Sequence, residues 1–218
     1  LVTGVQTCAL PISTIAIEDK DFYKHGGISA SGIARAFISN SQGNAVQGGS
    51  TLTQQLVKKV FFTKDEAMQR GLSGIPRKIK EMILAIEVER MYSKDQILGL
   101  YLNESPYGGR RNGVESAAQT YFGKSSKDLT LPECSLLAAI PNNPSLYNPY
   151  NTYGRKALVE RQHKVLDDMV SMNYISKQEA AAAKKVDIMD TIKPLADQYA
   201  NVKAPHFVQM VKKQLEEE

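Results

Sequence analysis

The chain has 218 residues, 42% apolar and 23% charged, long enough for one substantial core and ordinary for a globular protein. A net charge of +4 is too small for a nucleic-acid binder and suits work at an anionic membrane surface or on phosphate groups. No stretch approaches the roughly 18 apolar residues of a bilayer-crossing helix, so any anchor is expected to lie outside this sequence.

The first thirteen residues, LVTGVQTCALPIS, back-translate to an adapter oligonucleotide of short-read sequencing libraries and are read as an assembly artefact. A secretory signal is the rival reading, but the segment lacks an early Lys or Arg and its apolar run is short and broken. On this reading Cys8 is foreign and Cys134 is left as a lone cysteine, expected to be a small core residue with no internal disulfide to form.

From residue 28 onwards the spacing of apolar residues is helical, and no run alternates long enough to argue for a sheet, so a mainly α fold is expected. Thr51 with Gln54, Ser93 with Gln96, Thr130 with Glu133 and Ser176 with Glu179 each fit a capping box that satisfies the free N–H groups of a first turn. Helices are predicted over 29–41, 51–62, 76–92, 94–104, 112–121, 131–140, 155–173 and 177–184. Gly- and Pro-rich breaks separate them at 45–49, 71–76, 106–113 and 141–153. Periodicity fades after about residue 190, and the stretch ending Glu216-Glu217-Glu218 reads as a connector towards a further domain.

Three segments could carry chemistry. In Glu18-Asp19-Lys20-Asp21-Phe22-Tyr23-Lys24-His25-Gly26-Gly27, carboxylates beside aromatic rings are candidates for acid–base work, with a solvated charged turn as the plain alternative. His25 alone reads as a hydrogen-bonded structural residue. Gly49-Ser50-Thr51 running through Gln54, Gln55 and Lys58 places a glycine turn before a capped helix start, which suits an anion, and supplies hydroxyls and amides for a sugar or phosphate. It lacks the ending of a nucleotide P-loop, and an ordinary capped helix is the alternative. On the third segment, Ile79, Met82, Ile83 and Ile86 form one apolar stripe while Leu84 and Val88 extend the other side, where Arg77 and Glu81 sit four apart. Burial on both sides is expected, giving Glu81 either an ion pair with Arg77 or a functional use.

In order, these segments resemble the motif set of glycosyltransferase family 51, the transglycosylase module of class A penicillin-binding proteins. Glu18-Asp19 with Phe22 and His25 looks like the first motif, Gly49 through Lys58 like the second, and Arg77-Lys78 with Glu81 like the third. Lys94 through Lys124 contains the fourth, and Leu131 through Pro149 the fifth. The resemblance covers roughly residues 14–190. Lys59–Pro76 is longer than in many relatives, so Arg70 is only a candidate for a further phosphate contact, and Cys134 stands where a small Ala is usual.

The resemblance implies a lysozyme-like helical fold with a larger lobe and a smaller membrane-proximal lobe. It implies an inverting peptidoglycan glycosyltransferase that polymerises lipid II into β-1,4-linked strands with release of undecaprenyl pyrophosphate. Glu18 would be the general base and Glu81 its partner. Lys58, Arg77 and Lys78, with Ser50, Thr51, Gln54 and Gln55, would hold the substrate and its diphosphate, and Asp19, Phe22, His25 and Gly49 would support them. No metal site and no required cofactor are implied, with stimulation by Mg or Mn allowed. The implied partners are lipid II, the growing lipid-linked glycan and the outer surface of the bacterial cytoplasmic membrane. The chain contains neither Ser-x-x-Lys nor Lys-Thr-Gly, so no transpeptidase is encoded in it, and a fused transpeptidase domain is expected after residue 218 from the connector-like end. A lysozyme-like hydrolase and an inactive lipid II-binding scaffold are the alternatives.

Overall fold

The structure, a computed structural model, describes residues 9–30, 32, 49–69, 71–109, 111–195, 210 and 214. Among these residues it is mainly α with no strand, as the helical spacing predicts. The elements are α1 (Ala9–Glu18), α2 (Leu52–Phe61), α3 (Lys64–Met68), α4 (Ile75–Met91), α5 (Lys94–Glu104), α6 (Val114–Phe122), α7 (Leu131–Ala139), α8 (Arg155–Ser171) and α9 (Lys177–Lys184). Seven of these coincide with predicted helices to within two residues at either end. The helix predicted over 29–41 and the candidate Arg70 lie outside the described residues. The connector predicted after residue 190 lies largely outside them too.

All four predicted capping boxes are present. At Thr130 the carboxylate of Glu133 makes the cap, accepting from the Thr130 amide at 2.7 Å and from its hydroxyl at 2.8 Å. A fifth box, Thr63 with Glu66, starts α3, a helix that the sequence reading left within a long inter-motif stretch. α1 also went unpredicted: it runs across the boundary at residue 13, with Leu10 and Ser13 both buried.

The core has two packing centres. α1, α7 and α8 pack on one another around Ile15, Leu136, Leu137, Leu158, Val165 and Leu166, all fully or almost fully buried. α2 packs on α4 and α5 through Leu52, Leu56, Val57, Ala85, Ile97 and Leu98. Cys134 is buried in α7, as expected of a small core residue. Gly27 lets the chain before α2 press on α4: its φ is +86°, and a Cβ there would lie 2.8 Å from the carbonyl oxygen of Ala85.

One expectation needs correction. α4 is not buried on both sides: Ile79 is 53% exposed and Ile83 56%, while Glu81, Ala85 and Val88 face the core. Apolar content cannot separate a core-facing stripe from one left uncovered, whereas the buried side contains the charged Glu81, whose neutralisation needs partners. Phe62 packs against the core and its neighbour Phe61 is exposed.

Candidate active site

α2 organises the site because three segments meet around its first turn. Thr51 caps it, accepting from the Gln54 amide at 3.1 Å and donating its hydroxyl to the Gly27 carbonyl at 2.7 Å. The free amide of Leu52 donates to Asp19 at 2.9 Å, so the anion at this helix start is the chain's own carboxylate. Asp19 is also paired with His25, whose Nε2 lies 3.0 Å from both carboxylate oxygens. Phe22 is fully buried, meets His25 edge-on, and has the Lys94 ammonium 4.5 Å above its ring. Lys94 donates to the His25 carbonyl at 2.5 Å and to Glu89 at 2.7 Å, fixing the loop after Glu18 against the end of α4. Asp19, Phe22 and His25 thus pack together against the start of α2, and Thr51 acts as its cap.

The two candidate acids reach α2 through consecutive residues. Glu18, at the end of α1, accepts from the Gln55 side-chain amide at 3.0 Å. Glu81, 2% exposed on α4, binds Arg77 at 2.7 Å and the ammonium of Lys78, which also donates to Gln54 at 3.3 Å and Ser50 at 2.8 Å. Successive residues of a helix point about 100° apart, so both carboxylates are tied to adjoining sides of one short element. Lys58 follows Gln54 by four and Gln55 by three, on the stripe between them. Gly49 is half-buried immediately before Ser50. The structure thus brings Glu18, Gln54, Gln55, Ser50, Arg77, Lys78 and Glu81 to one place. Arg77 and Lys78, read as diphosphate-binding cations, are both engaged by Glu81 here.

Three further residues stand at the site that sequence reasoning did not single out. Arg161 of α8 donates to the second oxygen of Glu18 at 3.0 Å. Tyr101 of α5 donates to the Gln55 carbonyl oxygen at 3.2 Å, which turns the Gln55 amide nitrogen towards Glu18. Lys59 lies 4.0 Å over the Tyr101 ring and donates to Ser105 at 2.8 Å, with no carboxylate at ion-pair distance among the described residues. Burial pushes its ammonium down to about 8 from 10.5, against the pull of nearby Glu18. Burial also raises the Tyr101 hydroxyl well above its usual range, keeping it a donor at neutral pH.

A mainly α domain with two buried carboxylates set against cations has the parts of a group-transfer site. Residues 9–170 match the family described as Transglycosylase. The chain is 46% identical over 176 residues to penicillin-binding protein 1A of Haemophilus influenzae, covering 80% of this chain and 20% of that protein. It is 43% identical over 171 residues to penicillin-binding protein 1F of Bacillus subtilis, covering 78% and 23%. The crystal structure of the Haemophilus influenzae protein 1A superposes with a TM-score of 0.48 at 31% identity, over 75% of this chain and 19% of that one. The chain belongs to the transglycosylase family. It spans about a fifth of the length of these curated relatives.

Proposed function

We propose that this domain is a peptidoglycan glycosyltransferase that polymerises lipid II. The observation that carries the reading is that Glu18 is bonded to Gln55 of α2 while Glu81 reaches the adjacent Gln54 through Lys78, with Arg77 paired to Glu81 as well. The free 4-hydroxyl of an incoming lipid II attacks the anomeric carbon of the growing glycan. As the new C–O bond forms, the bond to the lipid diphosphate breaks and its electron pair leaves with the phosphate oxygen; inversion yields a β-1,4 link. Glu18 takes the hydroxyl proton, a general-base contribution of roughly 10²–10⁴-fold. Two of the approximately four lone-pair sites of a carboxylate are used by Arg161 and Gln55, leaving others to accept that proton.

The departing diphosphate needs positive charge. Arg77 and Lys78 supply it from their places on Glu81, which holds both at the cleft until an anion competes for them. A lytic hydrolase would instead have to protonate its leaving group, and cations packed on the second acid oppose that role. The reaction needs no cofactor, and Mg or Mn stimulation is read by adding each ion to the assay. The site of action is the extracytoplasmic face of the bacterial cytoplasmic membrane. Support comes from the exposed run Ile75, Ile79, Ile83 and Ile86 along α4, an apolar stripe of the kind that lies against a membrane surface. The relatives' greater length supports a larger parent protein with a fused transpeptidase domain.

The purified chain incubated with labelled lipid II should give glycan ladders on gels. Glu18→Gln should abolish them while leaving the helical circular dichroism intact. Binding without product would mean a scaffold, and shortening of finished glycan a hydrolase.

A further inference from the structure

Glu18 is held from both sides. We infer that Arg161, far away in sequence on α8, is the positioning residue that sets the Glu18 carboxylate for proton abstraction, an inference that rests on the polymerase reading. Its Nη2 donates to Glu18 Oε1 at 3.0 Å, while its Nε donates to the carbonyl oxygen of Ala139 at 3.0 Å. The guanidinium carbon also lies 5.7 Å from the centre of the Tyr147 ring. The side chains of Arg161 and Glu18 are 17% and 8% exposed. The cation is thus fixed to the end of α7 before it reaches the carboxylate, and its direction does not depend on Glu18. On the opposite side, Tyr101 orients Gln55, which takes Oε2 at 3.0 Å.

These contacts leave a carboxylate little freedom to rotate, so its remaining lone pairs point in a fixed direction. The planar fork of arginine can serve a backbone carbonyl and a carboxylate together, which a lysine ammonium on a single flexible stem does less well. Arg161 differs in this from Lys78, which is held by side chains alone, and from Arg77, whose one backbone contact, to the Gln69 carbonyl, is long at 3.5 Å. Its effect is therefore expected on turnover and not on substrate affinity.

The test compares the full chain with Arg161→Gln and Arg161→Lys. In lipid II polymerisation, Arg161→Gln should lower kcat roughly 10²-fold, with KM within about twofold, the loss typical of a reacting group misplaced by about 1 Å. Arg161→Lys should recover part of kcat at unchanged KM. A rise in KM with kcat unchanged would transfer Arg161 to the diphosphate site and overturn the inference, as would unchanged kcat in both variants. A second readout needs no turnover: carbodiimide labelling with glycine ethyl ester, followed by peptide mass spectrometry. Glu18 should label faster in Arg161→Gln while Glu81 does not, and equal Glu18 labelling overturns the inference. If circular dichroism shows Arg161→Gln unfolded, the same comparison in Arg161→Lys decides. Absence of glycan from the wild-type chain would sink the polymerase reading alone, because the labelling still reports on the Arg161–Glu18 pair.

Discussion

Lys59 is a residue whose chemistry departs far from what its type suggests. Burial holds its ammonium at about 8, so the folded chain releases a proton that the unfolded chain keeps until about 10.5. Below pH 8 both states hold the charge, and folding bears the cost of sheltering it. Between 8 and 10.5 the unfolded state binds more protons, so stability rises with pH through that window. A shift of this size corresponds to at most about 3 kcal/mol. Lys59→Met is expected to flatten this rise, as urea titrations at pH 7, 8, 9 and 10 would show; an unchanged slope would place the effect elsewhere. In sequence, Lys59 is the second of two adjacent lysines, and nothing in the pair tells which one turns inward. Arg161 was hidden for a similar reason: in RKALVERQHK it reads as one charge among several on a solvated helix, and its partner lies 143 residues away. Glu81 was legible, because Arg77 sits one helical turn before it in an apolar setting.

α2 is the element on which the site depends, and its first turn is assembled from distant pieces. Its capping signal could be read from Thr51 and Gln54, since a box is a local arrangement of four residues. The filling of its remaining amide by Asp19 could not, because the contact spans 33 residues. Thr51→Ala removes both the cap and the bond to Gly27, and should cost about 1–2 kcal/mol in chemical denaturation. Thr51→Ser should restore most of that. Since the same turn carries Gln54 and Gln55, polymerisation by Thr51→Ala should fall by more than its lost folded fraction explains. The exposed isoleucines of α4 teach the converse: periodicity located the stripe, but whether a stripe meets protein or surroundings depends on which elements fold beside it.

Across the whole molecule, the packing of α1, α7 and α8 is what delivers Glu18 to α2. Ile15, 1% exposed on α1, lies within this packing one turn before the acid. Ile15→Ala is expected to destabilise by about 2–5 kcal/mol, read as a lower denaturant midpoint with the slope kept. Seven of the described helices were legible because apolar periodicity and, for α2, α5, α7 and α9, a capping box are local signals, while the assembly that makes a site of them lies in contacts between residues far apart. The long reach from Glu18 to Arg161 also has a bearing on biosynthesis. A ribosome makes the acid well over a hundred residues before its guanidinium partner. Until α8 has emerged and docked, the acid has no cation to hold it, so a nascent chain cannot possess a finished active site however early its first helices form. Catalytic competence in this domain therefore waits for the step that brings α8 back onto α1.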